Sequence, residues 1–325
     1  MVRRKPTRLV TLATVAVVAV VAIGVLVVRQ DAASGDTSLA QQTAGQQPNG
    51  LFLTQTNQFV TPAGDVIREA GRPFGLALSP DGRTAAALNT GGATTGIVTV
   101  FDLVNRKVLQ QTGTGKISDG GILYSRDGKY LWAARPGDLQ RFPVQADGML
   151  GAPVTVALPG VDGRKPVPTG LAWAPDGGLL VTLSGNNTLG LLDTVSGAVQ
   201  QVPVGNAPNS VVVIGGKAYV SNQGGRPARP GDRTDSSYGT AIVTDGSAAP
   251  TTGTVSEVDL ATATQVTTFA VGLEPSALLA VGSTLLVADT DDDSVTSIDT
   301  VKQQVARTFS ANPARAHRSA RSPTA

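Results

Sequence analysis

The 325-residue chain contains no cysteine, which excludes disulfides and thiolate chemistry alike. Its single histidine is His317, close to the C-terminal end. The remainder of the chain therefore cannot furnish a Ser–His pair, a histidine-based metal site or a haem axial histidine. Aromatic residues make up only 4% of the chain and charged residues 15%, and the formal charge is +2. The basic residues gather at the two ends, so the middle lacks the continuous cationic surface that nucleic-acid binding requires. What is abundant is glycine (38), proline (20) and apolar side chains (41%). That balance suits an all-β protein rich in turns, with enough apolar material for a core.

The N-terminus is the one exception to this pattern. Arg3, Arg4, Lys5 and Arg8 precede Leu9 to Val28, a run of twenty residues in which only Thr11 and Thr14 are polar. Such a run, at about 1.5 Å per residue, crosses a hydrocarbon core of about 30 Å. Basic residues ahead of it hold that end in the cytoplasm, so the rest of the chain is expected to be exported. Residues 1–29 are either a retained membrane anchor, favoured by the length of the run, or a cleaved signal peptide. Residues 30–50 are small and polar, the composition of a flexible tether.

Residues 51–312 are organised around a repeat that is clearest from Pro168 to Gly205. There, four short apolar runs are separated by Pro175–Gly178, Gly185–Asn187 and Val195–Gly197. These turn residues tolerate the tight or left-handed dihedrals of hairpins. A four-stranded antiparallel meander of this length, about 40 residues, is the unit of a β-propeller blade. The same pattern opens at Phe74, Gly120, Pro208 and Pro275, giving five full blades, and residues 51–71 supply a partial one of two strands at most. Pro168 and Pro208 are 40 positions apart, but Pro208 and Pro275 are 67 apart. The excess is an insert at residues 224–253, read as a long loop between the second and third strands of its blade.

The segments RPFGLALSPDGRTAAALN, PNSVVVIGGKAYVSN and EPSALLAVGSTLLVADTDDDSVTSIDT resemble the YVTN-type, YncE-like propeller repeats, with Ala218-Tyr219-Val220-Ser221-Asn222 nearest the namesake motif. The start Pro48-Asn49-Gly50, the stretch Thr61-Pro62-Ala63-Gly64 and the insert NQGGRPARPGDRTDSSYGT resemble the N-terminal propeller of actinobacterial proteins that join it to an alkaline-phosphatase-like phosphoesterase domain. The resemblance spans residues 48–313 and implies a seven-bladed ring, of which this chain offers five blades and a partial one. Residues 313–325, with Arg315, His317, Arg318 and Arg321, carry no apolar alternation. The expectation is a truncated chain from which the remaining blades and the phosphoesterase part are lost; a disordered tail on a five-bladed propeller is the alternative.

Few residues point to chemistry, and neither a catalytic residue nor a cofactor is expected. Asp289, Asp291 and Asp293 alternate like the start of a calcium loop, but Ser294 stands where the loop glycine should be and Thr300 where its bidentate glutamate should be. The expected role is a hairpin turn, with a weak cation site as the alternative. Within the insert, Arg226, Arg229, Arg233 and Tyr238 are candidates for contacting a partner protein or a small anionic ligand. Trp132 and Trp173 are expected to pack between blades. Membrane contact is expected only through the N-terminal segment. The favoured function is an exported, non-catalytic binding or scaffold module. The competing one is a lactonase-like hydrolase with a metal in the central channel, which would need carboxylates converging at the inner strand ends.

Overall fold

Each apolar run forms a short strand, and the turn clusters between runs reverse the chain into antiparallel sheets. The computed structural model describes residues 45–47, 51–54, 59–60, 64–69, 71–91, 95–118, 120–245 and 249–311. The apolar segment Leu9–Val28, most of the expected tether and the Arg-rich tail with His317 lie outside the described residues. Among the described residues, no helix is long and apolar enough to cross a membrane.

Two units are distinguished, Met1–Gly64 and Asp65–Ala325. In the first, β1 (Gly45–Gln46), β2 (Phe52–Leu53) and β3 (Phe59–Val60) pair antiparallel in that order. Gly45 pairs with Leu53 and Gln46 with Phe52, so a strand forms within the stretch expected to be tether.

The second unit is a succession of four-stranded sheets. The first comprises β4 (Arg72–Leu78), β5 (Thr84–Gly91), β6 (Thr95–Asp102) and β7 (Lys107–Gly115). The second comprises β8 (Ile122–Tyr124), β9 (Tyr130–Arg135), β10 (Asp138–Pro143) and β11 (Val154–Ala157). The third comprises β12 (Pro168–Trp173), β13 (Leu179–Leu183), β14 (Thr188–Leu192) and β15 (Val199–Pro203). In the fourth, β16 (Asn206–Ile214) and β17 (Lys217–Gly225) are separated from β20 (Gly253–Asp259) and β21 (Thr264–Val271) by a two-stranded hairpin, β18 (Thr234–Ser237) and β19 (Thr240–Val243). The fifth comprises β22 (Pro275–Val281), β23 (Thr284–Asp289), β24 (Ser294–Asp299) and β25 (Gln304–Ser310). Every four-stranded sheet is a meander with neighbours in chain order, the hairpin aside.

Side-chain hydrogen bonds fix the turns. Ser79 Oγ donates to Asp81 Oδ1 at 2.7 Å and accepts from the Thr84 amide at 3.0 Å, and Ser125 repeats this with Asp127 and Tyr130 at 2.6 and 2.9 Å. A second family of turns joins third to fourth strands. In it, Asp102, Asp193, Asp259 and Asp299 each accept from the amides two and three residues ahead. Hydrogen bonds to the ionised form hold all four carboxyls below the usual aspartate range, led by the Asn105 side-chain amide at Asp102 and by these backbone amides at the other three.

The core is a series of apolar seams between successive blades. Leu88, Val98 and Val100 of the first blade pack with Tyr124, Leu131 and Phe142 of the second. Trp132 and Leu139 pack with Leu179, Val181 and Leu183 at the next seam, where Trp132 and Trp173 meet edge to face with centroids 6.5 Å apart. Leu180 and Leu189 then pack with Val211 and Val220, and Tyr219 and Phe269 with Leu285, Val287 and Ile298. Burying each Leu- or Phe-sized side chain contributes about 1.5–3 kcal/mol. Both tryptophans thus serve inter-blade packing.

The first strands β4, β8, β12, β16 and β22 pack side by side in chain order. Glycines permit the close approach: a Cβ on Gly75 would meet the Gly120 carbonyl oxygen at 2.2 Å, and one on Gly170 the Asn209 oxygen at 2.6 Å. At the entry to three of these strands, Val167, Ala207 and Glu274 hold φ of 45, 48 and 50° just ahead of a proline. Left-handed backbone at a β-branched valine is strained, so the hub entrance stores conformational energy that the seams must offset.

Candidate functional site

The starts of all five inner strands converge on a cavity of about 820 Å³. Phe74, Gly120, Gly170, Asn209 and Ser276 bring one residue from each blade to its wall. Thr169, Ser210 and Gln223 add hydroxyl and amide groups, so the lining is largely neutral and polar. Concave pockets with convergent polar groups are the ordinary setting for ligand recognition.

The β18–β19 hairpin contributes Ser236, Ser237 and Tyr238 to the same cavity. The sequence pattern suggested a loop, but Thr234 pairs with Val243 and Ser237 with Thr240, leaving a two-residue turn. Tyr238 at φ 50° and Gly239 at φ 86° give the double left-handed conformation that matches the twist of a hairpin. The tip is held from below: Asn206 Nδ2 donates to the carbonyls of Arg226 and Ala241 at 3.1 and 2.9 Å, and Ile242 is buried. Tyr238 itself is 47% exposed, an aromatic face presented to whatever enters.

Among the described residues, one carboxyl lines the cavity, that of Glu274. Burial first, then the hydrogen bond and charge of Asp291, push it up to about 7. Glu274 is therefore about half protonated at neutral pH. Among the lining residues there is no lysine or arginine.

The residues singled out from sequence divide in two. Tyr238 reaches the cavity. Arg226 does not act as a free cation, because both of its terminal nitrogens are engaged by Asp232 at 2.7 and 3.0 Å. That pairing, with the Arg229 amide, draws the Asp232 carboxyl down to about 2. Arg229 and Arg233 are exposed in the same insert. Asp289, Asp291 and Asp293 fall on the hairpin between β23 and β24, around a one-turn 3-10 segment at Thr290–Asp292. Asp289 is buried and its Oδ2 accepts from Thr296 Oγ1 at 2.6 Å, at the place where Asn89 and Asn222 instead donate from Nδ2 to Thr99 Oγ1 and Ser256 Oγ in their blades. Among the described residues, no group of three or more His, Cys, Asp or Glu side chains is placed to hold a metal.

Glu274, Phe74, Asn209 and Gln223 were not singled out from sequence. The signal available for Glu274 was its position one residue ahead of a strand-opening proline, which the blade register places at the hub.

No protein-family profile matches the chain, and no curated protein matches it in sequence. Solved structures do match in three dimensions. Hydrazine synthase of Kuenenia stuttgartiensis superposes with a TM-score of 0.53 at 19% identity, covering 76% of this chain and 69% of that one. The U3-55K structure matches with a TM-score of 0.54 at 13% identity, covering 75% of this chain and 65% of that one, just under two thirds of its length. A functionally unknown protein of Desulfotomaculum acetoxidans matches with a TM-score of 0.52 at 16% identity, covering 79% and 77%. At these identities the likeness shows the fold alone: the second unit is a β-propeller related in architecture to WD40-repeat proteins.

Proposed function

We propose that this chain is an exported, non-catalytic binding or scaffold module whose recognition site is the hub cavity beneath the β18–β19 hairpin. One observation carries the reading: residues from all five blades and the tip of the insert meet at a single polar cavity with Tyr238 exposed above it. A hairpin tip presented at a cavity in a rigid scaffold is the arrangement by which loops acquire binding roles. Export and membrane attachment rest on the basic N-terminus and the Leu9–Val28 run. Attachment to a phosphoesterase in fuller relatives rests on the sequence resemblance.

The charge of the site refines what it binds. With Arg226 neutralised by Asp232 and Glu274 on the cavity wall, a small anionic ligand would have to rely on Arg229 and Arg233 at the outside of the insert. The cavity itself suits a neutral, hydroxyl-rich ligand or a protein segment. Hydrolysis at a channel metal is the competing reading, and it lacks a converging set of ligands among the described residues.

Thermal-shift titration against oligosaccharides, phosphorylated sugars and short peptides tests the proposal, with Tyr238→Ala and Glu274→Gln run in parallel. A ligand that raises the melting temperature of the parent protein but of neither variant supports it. A ligand response identical in all three proteins removes the cavity from consideration. Stoichiometric calcium or zinc in purified protein, with turnover of a lactone, would replace the binding reading by the hydrolytic one.

A further inference from the structure

The seam between the fourth and fifth blades has two halves, and each half recurs once more on a surface that no blade among the described residues covers. On the fourth-blade side stand Val212, Ile214, Tyr219, Val255 and Phe269. Strand register places Leu279, Val281, Leu286, Val295 and Phe309 at the corresponding positions of the fifth blade. On the fifth-blade side of the same seam stand Leu278, Leu285, Val287 and Ile298. Their counterparts in the first blade are Leu76, Ala85, Ala87 and Phe101, with Leu78 at the place of Ala280.

Among the described residues, these two outward faces are left open. Leu76 and Leu78 are 73% and 62% exposed, while Leu279 and Val281 are 49% and 56% exposed. Ile67 partly covers Ala85, Ala87 and Phe101 but leaves Leu76 and Leu78 bare. The fourth-blade half carries the Lys217–Glu257 ion pair with Glu257 fully enclosed; the corresponding positions of the fifth blade hold Thr284 and Ser297, and the cation on this face, Arg307, lies over the Phe309 ring at 4.6 Å. Contiguous apolar faces of this kind are interaction surfaces on a soluble fold.

We infer that the outward face of the fifth blade and that of the first blade form a fifth seam between two copies of this chain, joined head to tail. The occupant is a second copy because each copy presents both halves of an interface that the chain already builds four times, with matching residues in matching register. Such a heterologous contact either closes into a ring or propagates.

The absence of native cysteine makes the test direct. Full-length chain bearing Leu76→Cys is mixed under mild oxidation with a differently tagged chain bearing Leu279→Cys. A mixed disulfide is expected, and none with Val195→Cys, a residue 95% exposed on the turn between β14 and β15. Light scattering of the unsubstituted full chain, in detergent where the N-terminal segment requires it, should give a dimer or larger species. The Leu279→Asp chain should give a folded monomer that melts cooperatively at a temperature independent of protein concentration. The inference is overturned by a monomer with no mixed disulfide. A Leu76→Cys/Leu279→Cys chain that bonds only within itself overturns it equally, since the propeller then closes on its own. So does a stoichiometric second polypeptide in place of the second copy.

Discussion

The seam between the fourth and fifth blades and the mouth of the hub cavity are built from the same strands, yet they use opposite chemistry. In the seam, Tyr219, Val255, Leu285, Val287 and Ile298 are buried to within about 1% of full enclosure, and Glu257 is fully enclosed with Lys217 and Gln303 as partners. Burial, and secondarily Glu257, push the Tyr219 hydroxyl up to about 12, so it remains a neutral phenol throughout the physiological range. At the mouth, residues are half exposed, hydroxylated and entered through left-handed backbone at Val167, Ala207 and Glu274. The contrast separates two tasks. Apolar seams supply the stability of the sheet stack, and that stability tolerates strained, adaptable polar groups where a ligand can reach them.

The largest effect that would sharpen this contrast is expected in the seam. Lys217→Ala leaves the enclosed Glu257 carboxylate with the Gln303 amide and the Tyr219 hydroxyl but no cation, and removal of one partner from a buried pair costs about 3–5 kcal/mol. Chemical denaturation measures it; a loss below about 1 kcal/mol would show that the seam is not the stabilising region.

Gly170 tests where the mouth becomes structural. Its added Cβ in Gly170→Ala would meet the Asn209 oxygen and the Ser210 backbone of the next blade, at a cost of about 1–3 kcal/mol. A neutral outcome would mean that adjacent inner strands can part, which the account does not allow.

Glu274 supplies the pH dependence. Its folded-state value is raised to about 7, so its contribution to stability is present below its ordinary value near 4.5 and is lost as pH rises through about 7. After allowance for solvent screening, the expected decline in stability between pH 5 and pH 8 is about 1–2 kcal/mol. Glu274→Gln should flatten that part of the profile, as followed by thermal melts across the range. An unchanged slope would show that burial and Asp291 together do not raise Glu274.

The smallest effect belongs to Tyr238. Exposed at a hairpin tip, Tyr238→Ala should alter stability by less than about 0.5 kcal/mol while removing ligand response.

Much of the sheet stack was legible in the sequence because alternation and turn chemistry act locally. Ser79-Pro80-Asp81-Gly82 and its relatives announce hairpins through the bonds they form within five residues. The strand β18 was not legible: Thr234-Asp235-Ser236-Ser237 has no apolar alternation and little β propensity, and its pairing depends on the Tyr238-Gly239 turn and the anchor from Asn206. Tyr238 was recognised as a candidate, but for proximity to arginines that turn out to be elsewhere, one of them locked to Asp232. The Lys217–Glu257 pair and the meeting of Glu274 with Asp291 were invisible for a different reason. Both join residues brought together only by strand register, across β17 and β20 in one case and across the β22–β23 entry in the other.

Hydrogen exchange read amide by amide tests the division of labour most directly. Amides of β17, β20 and β23 should exchange only through global unfolding, while those of Ser236 to Gly239 should exchange orders of magnitude faster in the unliganded protein. Protection of the hairpin tip equal to that of β17 would contradict the account, because the mouth would then be as rigid as the seams.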